Sequence, residues 1–420
     1  MMHFGIICPA APGHLNPLTT LGWQLQQRGH RVTLLGVPFG KSRALAAGLG
    51  FEEIGRSRFP GEKTAARYAE LGKLTGLAAL RYNYALIRED IVTILEETPD
   101  AARRAGVEAL LIDQVSYEGI TVAEHLGLPH IEVCTGVMMN REAAIPPYFT
   151  PWEYNPALWA QLRNRVAYAI VDRIYQPTFA AINQYRRRWN LPLHPSPEPA
   201  YSSLAQLCPH PAEFEFPRTT LPPHFYFAGP YANPSTREPI DFPYEKLTGK
   251  PLIYASMGTL QNRRVEIFQA IARACDGLDA QLVISLGGAG NPESLGDLPG
   301  SPVVVGNAPQ LQLLEKASVA ITHAGMNTAL EALSYGVPMV AVPVTNDQPG
   351  VAARVAWTGS GEVVPASVAT VARLRSAISR VLTDDTYRNN ARRMQRAIAQ
   401  TGGLERAAEI IERKIGALAK

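Results

Sequence analysis

Cysteine is scarce and scattered. Cys8, Cys134, Cys208 and Cys275 stand far apart with no C-x-x-C pair, so neither a disulfide framework nor a thiolate zinc site is expected, and a reducing cytoplasm fits. Long apolar runs are missing too. No stretch approaches the roughly 20 residues that span a bilayer, so any membrane contact would be peripheral at most. The opening MMHFGIICPA lacks the basic segment of a secretory leader and runs directly into a glycine loop, which reads as a first strand. Nor does one sign of charge dominate. A net charge of +3 with 18% charged residues argues against an electrostatic nucleic-acid binder, whose basic residues should cluster strongly. The one compact basic run, Arg186 to Arg188, lies on a helix-like stretch and reads as a solvated face.

What the chain does have is length and alternation. Its 420 residues exceed one ordinary core, and two domains are expected. FGIIC, a glycine loop, a helix-like run with Leu18, Leu21 and Leu25 at helical spacing, and RVTLLGV follow one another at the start. Asn16 and Pro17 suit the beginning of that helix and Gly29 its end. The same order restarts at PLIYASMGTL, followed by VEIFQAIARACDGL and AQLVISLG. Apolar strands alternating with amphipathic helices predict an α/β fold of two facing Rossmann-like domains, with parallel sheets and an interdomain cleft. The expected boundaries are residues 1–231, a linker at 232–250 after a proline-crowded segment, and residues 251–402, followed by a terminal amphipathic stretch at 403–420.

The stretch THAGMNTALEALSYGVPMVAVPVTNDQ carries the densest chemistry. A buried strand ends at His323, and a helix closing at Gly336 follows. Gly325 permits close backbone approach, and the free N–H groups at the helix start make a seat for phosphate, to which His323, Asn327 and Thr328 can add donors. Glu331 has two readings: the capping box T-x-x-E begun by Thr328, or a grip on ribose hydroxyls through paired acceptors. Asp347 and Gln348 emerge at the end of the next strand, as recognition of a polyol requires.

The run APQLQLLEKASVAITHAGMNTALEALSYGVPMVAVPVTNDQPGVAARV resembles the sugar-nucleotide signature of the family 1 UDP-dependent glycosyltransferases of GT-B type. It is most similar to the branch that includes zeaxanthin glucosyltransferases and macrolide glycosyltransferases. The resemblance implies that His323, Gly325, Met326, Asn327 and Thr328 hold the diphosphate, Glu331 the ribose, and Asp347 and Gln348 the sugar. Ser256, Gly258 and Thr259 would meet the phosphates from the other side. Ala308 would read the base through its backbone, with Gln310 supporting the ribose. Asn307 stands where many relatives place an aromatic ring, whose stacking on a base contributes about 1 to 3 kcal/mol. The resemblance also implies that the terminal helix crosses back onto the first domain.

The context GHLNP around His14 resembles the family's catalytic histidine. Its place near a helix start should lower its hold on a proton, as a general base requires. Asp113, at the end of ALLID, resembles the orienting carboxylate of several relatives, while others carry theirs where this chain has Glu118. The implied reaction is inverting transfer of a hexose, glucose foremost, from a UDP-sugar co-substrate to a hydrophobic hydroxylated acceptor, such as a terpenoid, carotenoid, polyketide or phenolic. No bound cofactor is expected. No D-x-D occurs, and no metal site is expected. Aromatic and methionine side chains, Met138, Met139, Tyr148, Phe149, Trp152, Tyr154 and Trp159 together with Phe59, Tyr82 and Tyr84, could line the acceptor pocket or belong to the core. A monomer or weak homodimer is expected. The competing readings are a sugar-nucleotide epimerase or hydrolase on the same frame, and a nicotinamide oxidoreductase suggested by LGGAGNPESLG. In that loop Glu293 replaces the third glycine of a dinucleotide fingerprint and Pro292 interrupts the helix entry.

Overall fold

Strands that are apolar at every position need cover on both faces, and the computed structural model supplies it. The structure describes residues 1–60, 66–67, 70, 76–196, 201–259, 264–288 and 291–418; the side chains of 76–81 and 83–85, and with them Tyr84, lie outside the described residues. The first half runs β1 (His3–Ile7), α1 (Pro12–Gln27), β2 (Arg31–Gly36), α2 (Lys41–Ala46), β3 (Gly50–Glu53), α3 (Gly76–Ala105), β4 (Ala109–Asp113), α4 (Tyr117–Leu126), β5 (His130–Val133), α5 (Leu158–Arg188), β6 (Gln206–Cys208) and β7 (Phe225–Phe227). Its sheet is parallel throughout in the order β3-β2-β1-β4-β5-β6-β7. Every residue of β1 and β4 is buried.

The second half repeats the plan with β8 (Leu252–Ser256), α6 (Val265–Cys275), β9 (Gln281–Ser285), β10 (Val303–Val305), α7 (Gln310–Lys316), β11 (Ala317–Thr322), α8 (Met326–Ser334), β12 (Met339–Ala341), α9 (Gln348–Trp357) and β13 (Gly361–Val363). This sheet is also parallel, in the order β10-β9-β8-β11-β12-β13. Three helices follow: α10 (Val371–Thr383), α11 (Asp385–Gln400) and α12 (Gly403–Gly416). The last joins the core of the first half, where Ala407, Ala408, Ile411 and Ile415 pack with Leu18, Leu21 and Leu25 of α1.

In each sheet the strand order reverses once, between β1 and β4 and between β8 and β11. At such a switch point the loops diverge to opposite faces and leave a crevice beyond the strand ends. His14 follows β1 and Asp113 ends β4; Ser256 ends β8 and His323 follows β11. The halves meet closely in places. A Cβ at Gly350 would stand 1.9 Å from the carbonyl oxygen of Tyr148, so only glycine allows this approach. Arg354 of α9 donates to both oxygens of Glu215 at 3.0 and 2.5 Å, with both side chains buried.

Two local expectations are corrected. Helix α1 begins at Pro12, with Ala11 as its cap residue; Asn16 and Pro17 lie inside it, and His14 sits in its first turn. Pro12 occupies the N-terminal turn that sequence reasoning gave to Pro17, because a missing N–H costs nothing there. The run Arg186 to Arg188 is not uniformly solvated. Arg186 is fully buried, its guanidinium 2.5 Å from Glu124 and donating to Thr121 Oγ1 at 3.1 Å, whereas Arg187 and Arg188 are exposed.

Candidate active site

On the first-domain side, the His14 ring reaches back to the end of β4. Its Nδ1 lies 2.9 Å from Asp113 Oδ2 and 2.8 Å from Thr135 Oγ1, and the Thr135 hydroxyl donates to the same Asp113 oxygen at 2.8 Å. A hydroxyl that gives its proton to Asp113 must accept from His14, so Nδ1 carries a hydrogen, and in the neutral ring Nε2 keeps the lone pair. Asp113 has no exposed surface, whereas His14 remains 29% exposed. The other Asp113 oxygen accepts the Val115 N–H at 3.1 Å, which fixes the carboxylate.

The expected lowering of the His14 pKa is not found. Burial does act in that direction, but the charge and hydrogen bond of Asp113, followed by the charge of Asp347, outweigh it and raise the pKa above the ordinary 6.5. A helix N-terminus is a fractional charge; two full carboxylates exceed it. Glu118, in the first turn of α4, makes no hydrogen bond to His14 among the described residues, and burial pushes its carboxyl up to about 8.

Across the cleft, α8 opens at Gly325 with no side-chain cap, and the first intrahelical bond of that turn is Ala329 N–H to Gly325 O at 3.0 Å. The preceding N–H groups, from Met326 to Thr328, are those a helix start offers to an anion. Met326 itself is buried, so its contribution is its backbone. Behind this turn stands His323, held neutral by burial, which drives its pKa down to about 4. A Cβ at Gly258 or at Gly325 would lie 2.5 Å from the His323 ring. The close approach that Gly325 permits is therefore that of the imidazole, and Gly258, at φ +74°, does the same from the other side. Ser256 Oγ accepts the Gly258 N–H at 3.3 Å. Thr259 is exposed at the edge of the described residues.

The capping-box reading of Glu331 is overturned. Thr328 is the third residue of α8, not its cap. Glu331 Oε1 accepts from Arg237 Nη2, and Oε2 accepts from Gln310 Nε2 at 2.6 Å. Gln310 Oε1 in turn accepts from the Tyr254 hydroxyl at 3.2 Å. A carboxylate with one donor on each oxygen keeps a further lone pair on each. Asn307 is exposed and Ala308 buried just before α7.

The Asp-Gln pair divides. Asp347 Oδ2 faces the first domain, 3.4 Å from the Val137 N–H; burial raises its pKa, opposed by the Val137 bond and the charge of His14. Gln348 is buried, its Oε1 accepting the Val344 and Thr345 N–H groups at 2.9 and 3.0 Å. That oxygen shapes the loop and does not face the cleft. Asn327 also crosses between domains, donating to the Gly13 carbonyl at 2.6 Å. That carbonyl is available because the residue four positions on is Pro17, which has no N–H to give it.

The aromatic candidates separate as well. Met138 and Phe149 line a small cavity with Met139, Tyr117, Tyr148 and Tyr175. Phe59 is core, 1% exposed, with the Arg67 guanidinium 4.5 Å above its ring. Trp152 is covered by Arg163 at 4.2 Å. Tyr82 is half-buried on α3 and, with Phe59 and Trp152, is outside the cavity lining. The loop after β9 ends in a short 3-10 turn, Pro292–Leu295, where a dinucleotide-binding loop requires an α-helix.

Sequence reasoning missed Thr135 and Arg237. Thr135 follows a buried strand, where the rule that ligands gather at carboxyl ends of strands applies. Arg237 lies in the irregular, proline-rich segment between β7 and β8, with no periodicity to mark it.

Two parallel-sheet domains whose switch-point loops face one another, one carrying His14 held by Asp113 and the other an uncapped helix start beside His323, have the GT-B glycosyltransferase fold. Residues 91–400 match the model of the family described as UDP-glucoronosyl and UDP-glucosyl transferase, and the chain belongs to that family. It is 32% identical over 415 residues to a zeaxanthin glucosyltransferase of Pantoea ananas, covering 98% of this chain and 96% of the relative. It is 31% identical over 426 residues to a zeaxanthin glucosyltransferase of Pseudescherichia vulneris, covering 99% and 98%. Among solved structures it resembles CalG4, the calicheamicin glycosyltransferase, with a TM-score of 0.74 at 23% identity over the full length of both chains.

Proposed function

We propose that this glycosyltransferase moves a hexose, glucose in the first instance, from a UDP-sugar to a hydroxyl of a hydrophobic small molecule, with inversion at the anomeric carbon. The observation that carries the reading is the pairing of His14 with Asp113 and Thr135, directly across the cleft from Asn327 and Asp347. In this account His14 Nε2 takes the acceptor proton while Asp113 stabilises the imidazolium that forms. The acceptor oxygen attacks the anomeric carbon, and the diphosphate leaves toward the start of α8, where free N–H groups and neutral His323 receive its charge. Glu331 would hold the ribose and Asp347 the sugar hydroxyls. Direct displacement from the opposite face inverts the centre. Similarity to two zeaxanthin glucosyltransferases supports glucose and a long apolar alcohol.

The test is incubation with UDP-glucose and a panel of apolar alcohols, a carotenoid diol among them, with and without chelator, products being read by mass and anomeric configuration. Chelator should leave turnover intact. His14→Ala should lower kcat by about 10²- to 10⁴-fold with unchanged UDP affinity by calorimetry. Full activity in that variant, or retained configuration in the product, would refute the mechanism; isomerised or hydrolysed donor without transfer would favour the epimerase or hydrolase reading.

A further inference from the structure

Helix α5 separates two apolar faces, and only one of them is covered. Ala160, Ala167, Phe179 and Ile182 are buried on the inner side, where Tyr168, Val171 and Tyr175 line the small cavity. The outer side of such a helix is ordinarily polar. Here Leu158, Trp159, Leu162, Val166 and Ile170 are 53% to 82% exposed. With 3.6 residues per turn these five fall within an arc of about 120° and extend about 18 Å along the axis. A contiguous exposed apolar patch marks an interaction surface.

Charge identifies the occupant. Arg165, Arg173, Arg187 and Arg188 are exposed, and their spacing sets them on the same outward side. The helix has one acidic residue, Asp172, and Arg141 holds it at 2.6 Å. A second copy of this face would bring two sets of guanidinium groups together, which is unfavourable. An anionic bilayer surface satisfies both features: the apolar side chains enter the acyl boundary while the arginines meet headgroup phosphates. Trp159, with Arg163 5.3 Å over its ring, has the amphipathic character of an interfacial residue. Among the described residues no helix is long and apolar enough to cross a membrane, so the contact lies at the surface.

We propose that the outward face of α5 docks the enzyme on an anionic lipid surface, setting the cavity on the helix's other face about one helix diameter, roughly 10 Å, from the lipid. An apolar acceptor dissolved in the bilayer would then reach the enzyme without crossing water. Delivery of the acceptor rests on the proposed transfer to a hydrophobic hydroxyl; docking does not.

The experiment is cosedimentation of the full chain with vesicles of phosphatidylcholine alone and of phosphatidylcholine mixed with phosphatidylglycerol. The chain should follow the anionic vesicles and be released by salt. The Leu162→Glu, Val166→Glu, Ile170→Glu triple variant should bind them about tenfold or more weakly, with unchanged melting temperature and unchanged turnover of a water-soluble acceptor. Replacing Arg165, Arg173, Arg187 and Arg188 by Gln leaves the apolar side chains in place and should abolish the preference for phosphatidylglycerol, which keeps the test decisive if the triple variant misfolds. Absence of wild-type cosedimentation, or equal binding by both variants, would overturn the proposal. So would a wild-type dimer in sedimentation velocity that the triple variant loses, since that assigns the face to a second copy. Loss of glycosyl transfer to every acceptor, with vesicle binding intact, would overturn the proposed function and leave the docking standing.

Discussion

His14 is pulled in opposite directions by its surroundings, and the balance sets its working pH. Burial favours the neutral ring, while Asp113 and Asp347 favour the imidazolium and prevail. A base must be neutral to accept a proton, so kcat/KM should rise with pH through a midpoint above 6.5 and be lost below it. Asp113→Asn removes the larger carboxylate influence and the acceptor at Nδ1. The ascending limb of the pH profile should therefore move to lower pH, while the plateau falls by about a hundredfold or more. An unmoved limb would mean that the titrating group is not His14. His14 and Asp113 were legible because each lies at or just beyond the carboxyl end of a buried strand. The direction of the pKa shift was not, since it is a balance of burial against the charge and hydrogen bond of Asp113 and then the charge of Asp347, the last lying 333 residues beyond His14 in sequence.

At the scale of elements, the strands were legible from unbroken apolar runs, and α8 from its position between a strand end and Gly336. The start of α1 was not. Pro12 and Pro17 both suit a first helical turn, and local sequence does not choose between them. The structure places Pro17 within the helix, and the acceptor it leaves unpaired at Gly13 is taken by Asn327 of the opposite domain. Pro17→Ala would restore an N–H to that carbonyl and compete with the interdomain bond, a contribution of about 0.5 to 1.5 kcal/mol. The helix should gain stability while the closed arrangement of domains loses it. Small-angle scattering of Pro17→Ala and of Asn327→Ala should show a larger radius of gyration than wild type; identical profiles would remove this bond from the account of closure. Glu331 taught a similar lesson. Its spacing from Thr328 matched a capping box, yet Arg237 and Gln310 claim its oxygens, and neither was visible from the local motif.

Over the whole molecule, two switch-point crevices face one another and contacts distant in sequence hold them. The two-domain plan was readable because the strand, loop and helix order restarts near residue 251. The contacts between halves were not, because nothing local marks Glu215 as the partner of Arg354. Burial would raise the Glu215 carboxyl, but Arg354, ahead of Arg218, outweighs it and holds it down at about 2 against an ordinary 4.5. A depressed carboxylate stabilises the fold fully above its ordinary value, and that stability is lost as pH falls from about 4.5 toward 2. Arg354→Met should lower stability at neutral pH by about 3 to 5 kcal/mol, because it strands a buried charge, and should flatten acid unfolding across that window. Denaturant melts at several pH values would show this, and an unchanged acid profile would contradict it.

The central claim is that one domain holds the leaving diphosphate while the other presents the base. The most direct measurement is a crystal structure with a non-transferable UDP-glucose analogue. The diphosphate should rest against the first turn of α8 beside His323, with the anomeric carbon facing His14 Nε2. A diphosphate bound elsewhere, or a sugar turned away from His14, would contradict the account.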